Sequence, residues 1–222
     1  MILNNADKAI ITISKEKLAD LPSANYTGRI QIIDKPEQVK TAIEEIRAAR
    51  IIGFDTETRP SFKKGHRYRL ALIQLCTPSC CYLFRVNKIG FPKELQDLIE
   101  DPHLLKVGLS LRDDFLNIQK VIEINPQGFI DLQNFVKEFK IVDNSLTRLY
   151  AILFGKRISK GQRLTNWEAP ELTESQLNYA ALDAFACITI YNYLKEGKFN
   201  PDTSEYLTTP MCQEESQEPE EE

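Results

Sequence analysis

The stretch Ile51-Ile-Gly-Phe-Asp55-Thr-Glu57 carries the most apolar strand signal in the chain and ends in two acids. A short apolar run of this kind is typical of a buried strand. Residues i and i+2 of a strand face the same side, so Asp55 and Glu57 project together. Buried acids cost desolvation free energy unless they are paired or bind a metal. The alternative is a strand that ends in solvent, and this pair taken alone favours that alternative.

Outward from this strand, the apolar pattern predicts an α/β fold with a mixed sheet. Three successive strands, the last two joined by an antiparallel turn at Pro78-Ser79, are followed by alternating strands and helices. Thr173-Glu-Ser-Gln176 has the capping-box pattern that opens a long helix to about Lys195. The predicted strands are 29–33, 51–55, 70–76, 81–86, 104–108 and 129–132. The predicted helices are 37–50, 95–100, 111–123, 132–139, 145–154 and 174–195.

A third candidate acid lies in the helix predicted at 111–123. Its apolar stripe is Leu111, Phe115, Ile118 and Ile122. At 100° per residue, Asp114 borders this packed stripe, whereas Asp113 lies nearly opposite and faces water. If one of the two acids binds a ligand, we expect it to be Asp114.

The fourth acid is Asp183, four residues after Tyr179 in the last long helix, so the two side chains share a helix face. Most of this helix is apolar, and an acid inside it needs a partner. A structural Tyr–Asp hydrogen bond and a functional role are equally good interpretations of this pair alone. Four carboxylates on three separate elements, however, can hold two divalent cations, and ligands that are all oxygens favour Mg²⁺ or Mn²⁺.

Three motifs in order now show a resemblance to a known family. Phe54-Asp55-Thr-Glu57-Thr, Val107-Gly108 with Asp114, and Tyr179-Ala-Ala-Leu-Asp183 resemble the motifs of the DEDDy 3′–5′ exonucleases. This branch includes ribonuclease D and the exonuclease domain of the Werner syndrome helicase. The segments Leu72–Cys76, Cys81–Phe84 and Thr165–Trp167 look closest to the Werner-type domain. The resemblance covers residues 29 to 196.

This resemblance implies a ribonuclease H-like fold, with a mixed five- to six-stranded sheet flanked by helices. It also implies that Asp55, Glu57 and Asp183 hold one cation and that Asp55 with Asp114 serves a second. Tyr179 would orient the attacking water, because a phenol is a poor base at neutral pH. We therefore expect a two-metal exonuclease that releases nucleoside 5′-monophosphates, with DNA somewhat favoured over RNA. The alternatives are a non-catalytic nucleic-acid-binding module and a ribonuclease D-like enzyme for RNA 3′ ends.

Two basic stretches with interleaved aromatic residues flank the acids and are typical of a groove for a single strand. Either stretch alone could be an ordinary solvated loop. The candidate substrate-binding residues are Thr56, Lys160, Arg163 and Trp167. The full stretches hold Arg59, Lys63, Lys64, His66, Arg67 and Arg69, then Lys156, Arg157, Lys160 and Arg163, with Phe62, Tyr68 and Trp167 as the aromatic residues.

The formal net charge of −4 combines two unlike parts. Residues 201–222 hold eight acids and no Lys or Arg, which leaves 28 basic against 24 acidic residues elsewhere. We expect an N-terminal extension at 1–28, an exonuclease domain at 29–200 and a disordered acidic tail at 201–222. The tail is a candidate docking segment for a protein partner, and the oligomeric state stays open.

The five cysteines do not match a zinc pattern and predict free thiols in a reducing compartment. No apolar run has the length of a membrane span, and the first 25 residues lack the pattern of a signal peptide. The expected location is therefore the cytoplasm, with no membrane partner and with nucleic acid as the main partner.

Overall fold

A mixed sheet of six strands lies at the centre of the computed structural model, which describes residues 9–61 and 68–208. The strands of the described chain are β1 (Ile10–Ile11), β2 (Arg29–Ile33), β3 (Ile51–Thr58), β4 (Leu70–Cys76), β5 (Cys80–Phe84), β6 (Leu105–Gly108), β7 (Phe129–Asp131) and β8 (Leu207–Thr208). The helices are α1 (Lys15–Asp20), α2 (Val39–Arg47), α3 (Val86–Ile89), α4 (Lys93–Ile99), α5 (Leu111–Gln119), α6 (Leu132–Phe135), α7 (Leu146–Phe154) and α8 (Glu174–Lys195).

The strand order of the large sheet is β2-β5-β4-β3-β6-β7. Strands β4 and β5 pair antiparallel, as the hairpin signal predicts, and β3 also pairs antiparallel with β4. Strands β2, β6 and β7 each pair parallel to a neighbour. This arrangement confirms the predicted α/β class and the mixed sheet of five to six strands. The observed order puts β3, and the acids at its end, in the interior of the sheet.

The two faces of β3 are used differently. Ile52 and Phe54 are fully buried in a core with residues of α2, α4 and α5. The alternate residues Gly53 and Asp55 face the opposite side, where α8 crosses the sheet. The period of two in a strand thus separates a packing face from a face that carries acids.

Gly53 sets the distance between β3 and α8. A Cβ atom at this position would lie 1.8 Å from the carbonyl oxygen of Ala184, which is a severe clash. Only glycine therefore permits this close approach. Since Asp183 precedes Ala184 and Asp55 lies two residues after Gly53, the contact brings the two acids together.

Helix α8 begins as its sequence predicts. The Thr173 hydroxyl accepts a hydrogen bond from the Gln176 backbone N–H, and Gln176 Oε1 accepts one from the Thr173 backbone N–H. The predicted helix at 111–123 ends earlier, at Gln119. No helix in the described ranges combines the length and the apolar character that a bilayer crossing requires.

The terminal segments of the described chain pack onto its other elements, and the predicted domain bounds at 28 and 200 stay a prediction. Strand β1 pairs antiparallel with β8, and Ile11 and Ile13 are buried against α7 and α8. Residues 9–28 and 201–208 are thus ordered parts of the packed unit, because their apolar side chains complete its second core. The remainder of the predicted acidic tail, 209–222, lies outside the described residues.

Candidate active site

Three carboxylates meet where β3 passes under α8. Asp55 and Glu57 stand on the same side of β3, and Asp183 reaches them from the buried face of α8. One carboxylate oxygen from each of these residues lies within 4.8 Å of the others. This spacing allows the three side chains to share one cation, as the sequence predicts.

Asp114 completes the acidic group from the first turn of α5. The Thr56 hydroxyl donates a 2.5 Å hydrogen bond to Asp114 Oδ1, which ties this acid to the strand between Asp55 and Glu57. Asp114 is buried whereas Asp113 is exposed, which is the difference in burial that the helical stripe predicts. Thr56 therefore has a structural partner, and its predicted contact with substrate stays a prediction.

The turn that precedes Asp114 is held by an acid that the sequence analysis missed. Asp131 accepts hydrogen bonds from the backbone N–H groups of Ser110, Leu111 and Gln133. Ser110 adopts the left-handed conformation with φ of 61°, which is uncommon for a residue other than glycine. Asp131 at the end of β7 thus fixes the start of α5. In the sequence, the only indication of this role is a single acid at the end of a predicted strand.

Tyr179 borders the carboxylates from the first half of α8. Its hydroxyl interacts with the carboxyl group of Asp183, one turn further along the helix. Burial, followed by the charges of Asp183 and Glu57, raises the pKa of Tyr179 above its ordinary value. The phenol is therefore neutral over the physiological pH range.

The pKa values of all four carboxyl groups are raised, because burial disfavours their charged forms. Burial, with the charges of Asp114, Asp183 and Glu57, raises the pKa of Asp55 well above its ordinary value. Burial and the charges of Asp183 and Asp114 raise the pKa of Glu57 to about 9. Burial likewise raises the pKa values of Asp114 and Asp183 to about 7. Full ionisation at neutral pH therefore requires added positive charge.

Two basic side chains reach the edge of this site from the loop before α8. The charge of Arg163 offsets part of the rise in the pKa of Glu57, and the charge of Lys160 offsets part of the rise in the pKa of Asp183. Both residues are exposed. The cavity measures about 240 Å³ and is lined by Asp55, Thr56, Glu57, Leu109, Ser110, Asp113, Asp114, Arg163, Tyr179 and Asp183.

The donor set fits hard divalent cations. Within the described residues, Asp55, Glu57 and Asp183 form the one group of three side chains spaced to ligate a metal, and all three offer oxygen. Carboxylate oxygens suit Mg²⁺ or Mn²⁺ better than zinc. The raised pKa values of the carboxyl groups agree with this fit, since bound cations would supply the missing charge.

The predicted substrate contact of Trp167 needs correction. Its side chain is completely buried, with Leu72, Leu83 and Ala180 around it. The indole ring lies 6.1 Å from the Tyr179 ring, centroid to centroid. Trp167 therefore supports Tyr179 from within the core, because the loop before α8 folds inwards at this residue.

Some residues of the two basic stretches contact other parts of the chain. Arg157 donates to the carbonyl oxygen of Leu21 and joins the N-terminal segment to the domain. Arg59 pairs with Glu168 at 3.5 Å and lies over the Tyr68 ring at 4.5 Å. The predicted contributions of Phe62, Lys63, Lys64, His66 and Arg67 lie outside the described residues.

Comparison with protein families decides the relationship. A family model described as 3′–5′ exonuclease matches residues 30–197, which include all four acids and Tyr179. The chain belongs to this family. Because Tyr179 precedes Asp183 by four residues, it is a member of the DEDDy type. The resemblance seen in the sequence is thereby confirmed.

Individual relatives of the exonuclease family include two proteins of at least 30% identity. The chain is 35% identical over 193 residues to the mouse protein named bifunctional 3′–5′ exonuclease/ATP-dependent helicase WRN. It is 30% identical over 200 residues to an Arabidopsis thaliana 3′–5′ exonuclease. These matches cover 82% and 83% of this chain, but 14% and 69% of the two relatives.

Two solved structures share the fold. The Aedes aegypti Nibbler EXO domain has a TM-score of 0.70 and 22% identity, and the match covers 81% of this chain and 96% of that one. Escherichia coli RNase D, described as an exoribonuclease involved in structured RNA processing, has a TM-score of 0.68 and 25% identity. That match covers 76% of this chain and 44% of RNase D.

Proposed function

We propose that this chain is a metal-dependent 3′–5′ exonuclease that hydrolyses phosphodiester bonds and releases nucleoside 5′-monophosphates. The observation that carries the proposal is the meeting of four carboxylates, three of them buried, and Tyr179 in one cavity. Each of these residues also lies in a segment that resembles a motif of the DEDDy exonucleases and within the matched range 30–197. An acidic group that merely ended a strand in solvent would have neither the burial nor the common cavity.

The carboxylates divide into two overlapping ligand sets. Asp55, Glu57 and Asp183 are close enough to hold one cation, and Asp114 with Asp55 would serve a second. Two divalent cations in such a site activate water and stabilise the attacking and leaving oxygens in phosphoryl displacement. The chain itself contributes a rigid arrangement of ligands, since β3, α5 and α8 are locked together by packing.

Tyr179 would act as a hydrogen-bond donor, because its pKa lies above the ordinary value for tyrosine. A neutral phenol cannot accept the proton of water at neutral pH, but it can orient a water or a phosphate oxygen. Its ring rests on Trp167, which limits how far the hydroxyl can move. We therefore assign Tyr179 a positioning role.

Lys160 and Arg163 are the candidate contacts for the substrate backbone. Both are exposed at the cavity edge, and neither forms a salt bridge within the described ranges, whereas Arg59 pairs with Glu168 and Arg157 donates to a backbone carbonyl oxygen. Cationic side chains in this position can hold a phosphate beside the metal ligands. Neutralising either of them should weaken substrate binding more than it slows the chemical step.

The decisive experiment is degradation of 5′-labelled oligonucleotides with purified protein and either Mg²⁺ or Mn²⁺. We expect a ladder that shortens from the 3′ end and mononucleotides that carry a 5′-phosphate. Chelator and Asp55→Ala should both abolish shortening. If wild-type protein shortens no substrate, or if Asp55→Ala shortens them equally well, the proposal is wrong.

We further propose that DNA is somewhat favoured over RNA, on the basis of the segments that resemble the Werner-type domain. The competing candidate is an RNA 3′-end enzyme, which the similarity to RNase D supports. Matched single-stranded DNA and RNA of one sequence, together with a duplex with a recessed 3′ end, separate the two. A higher kcat/KM on RNA would reverse the proposed preference.

A non-catalytic nucleic-acid-binding module is the remaining alternative. The presence of all four acids and Tyr179 argues against it, because a binding module has no need for buried, mutually repelling carboxylates. Nucleic-acid binding that persists in chelator, without release of mononucleotides, would favour this alternative. The proposed docking of a partner on the acidic tail can be examined separately by deleting residues 209–222.

A further inference from the structure

Gln74 is the only amide or charged side chain on β4, and it lies directly opposite Asp55 in the sheet. The other residues of the strand are apolar or cysteine. Side chains of directly opposed residues in antiparallel strands stand on the same face and contact each other. Gln74 therefore contacts Asp55, which lines the carboxylate cavity, from the neighbouring strand of the sheet.

The Gln74 side chain is held by one hydrogen bond. Its Nε2 donates to Asp55 Oδ2 at 3.3 Å, whereas Oε1 has no hydrogen-bond partner among the described residues. The residue has no solvent exposure, so bulk water does not satisfy Oε1. A buried amide with an unsatisfied carbonyl destabilises a core relative to an apolar side chain of the same size. Packing alone thus does not account for glutamine here.

The orientation of the amide follows from the charge of its neighbour. The opposite orientation would put the Gln74 carbonyl oxygen against the Asp55 carboxylate, where lone pairs repel. With Nε2 engaged, rotation of the Asp55 carboxyl group is restrained, and this torsion is otherwise broad. Under the proposed function, Asp55 serves both cations, so its orientation affects the whole site.

We propose that Gln74 is a positioning residue that holds the Asp55 carboxylate in the orientation required to ligate divalent cations. An amide suits this task because it donates a hydrogen bond without adding positive charge. Lysine or arginine in its place would repel the cations that the carboxylates attract. The inference rests on the proposed function, but its test does not need nuclease activity.

The test compares Mn²⁺ binding by wild-type protein, Gln74→Met and Gln74→Leu, measured by calorimetry on the full chain. Both variants replace the amide with an apolar side chain of similar volume and therefore lose the hydrogen-bond donor. We expect the affinity for Mn²⁺ to fall by about 10- to 100-fold, the range found when a group that orients a metal ligand is removed. The melting temperature of the metal-free variants should stay unchanged or rise, because the unsatisfied carbonyl is gone. In turnover, kcat should fall with little change in KM.

Ile73→Val is the matched control on the same strand. Ile73 lies in the core on the opposite face, so its loss of one methylene should lower the melting temperature and leave Mn²⁺ affinity unaltered. A metal affinity for Gln74→Met and Gln74→Leu within about twofold of wild type would overturn the positioning role, since a donor that orients the ligand is worth at least tenfold. Loss of the fold in both variants would also overturn it, because Gln74 would then be structural. If wild-type protein itself binds no Mn²⁺, the proposed function is wrong. If wild-type protein binds Mn²⁺ and the variants bind it equally well, only the positioning role of Gln74 is wrong.

Discussion

Two buried acidic regions of the molecule handle negative charge in opposite ways. Asp143 lies between the N-terminal segment and α7, where its Oδ2 accepts hydrogen bonds from Thr12 Oγ1 and the Ile13 amide. Its Oδ1 pairs with Arg148 at 2.8 Å. In the carboxylate cavity, by contrast, Asp55, Glu57, Asp114 and Asp183 lie close together, and the nearby cationic groups are the exposed side chains of Lys160 and Arg163.

The negative charge of Asp143 is compensated by groups of the chain itself, whereas the negative charges in the carboxylate cavity need compensation by cations from solution. A buried carboxylate with a cation and two donors stabilises the fold through these partners. Four carboxylates whose pKa values are raised by burial, with repulsion from the others added at Asp55 and Glu57, instead destabilise the metal-free fold. Such an arrangement is expected of a binding site for cations, and it can be tested by disturbing either region.

The largest expected effect is on catalysis by Asp183→Asn. This change removes a cation ligand but retains the size of the side chain and its contact with Tyr179. We expect kcat/KM to fall by at least about 10³-fold, which corresponds to about 4 kcal/mol of lost transition-state stabilisation. Steady-state degradation of a labelled single strand measures this loss. The melting temperature of the metal-free variant should rise, and a marked decrease would contradict the comparison.

Asp143→Asn should show the opposite pattern. The pair with Arg148 is lost, which we expect to lower the free energy of unfolding by about 2–3 kcal/mol, as for a partly buried ion pair. The melting temperature should then fall by roughly 4–12 °C. Thermal denaturation followed by circular dichroism gives the value. Turnover by the folded fraction should match wild type, and a loss comparable to that of Asp183→Asn would mean that the two regions are not independent.

The neighbouring acids on α5 sharpen the comparison further. Asp114→Asn removes a buried carboxylate that Thr56 holds in the cavity, so we expect activity to fall by about 10²-fold. Asp113→Asn makes the same chemical change on the exposed side of the cavity edge and should alter activity by less than about twofold. Equal losses in the two variants would show that the helical stripe misassigned the ligand.

The smallest effect is the pH dependence of metal-free stability. The pKa values of Asp114 and Asp183, about 7, and of Glu57, about 9, lie above those of unfolded carboxyl groups. At these three groups the folded protein binds more protons than the unfolded chain, so their contribution to stability is fully present below about pH 4 and is lost as pH rises towards 9.

Differential scanning fluorimetry from pH 5 to 9 in chelator should show this decline, after allowance for groups outside the cavity by comparison with Asp183→Asn. Mn²⁺ should raise the melting temperature more at pH 8 than at pH 6, since ionised carboxylates bind it better. A metal-induced increase that becomes smaller with rising pH would contradict the assignment.

Local periodicity was sufficient for much of the fold and for the acidic residues of the site. Alternation and apolar content located β3 to β5, the capping box located the start of α8, and the stripe on α5 selected Asp114 over Asp113. These signals depend on which face of one element packs, and that is encoded within a few neighbouring residues.

Contacts between distant segments were not accessible in this way. Trp167 looked like a surface aromatic residue among basic side chains, yet it lies in the core behind Tyr179. Gln74 and Asp131 each support a cavity residue across the sheet or a turn, at separations of about twenty residues. The ordered segments 9–28 and 201–208 pair with each other, and no pattern within either segment predicts its partner.

The sequence by itself determined the α/β class, the exonuclease motifs and the four acids with Tyr179, because each follows from local spacing along one strand or helix. Only the tertiary structure decided how these residues meet: Gly53 admits α8 to within contact of β3, Thr56 and Asp131 fix Asp114, and Gln74 touches Asp55. The physical reason is that a charge pattern is a property of the chain, whereas desolvation and hydrogen-bond partnership arise only when distant elements pack.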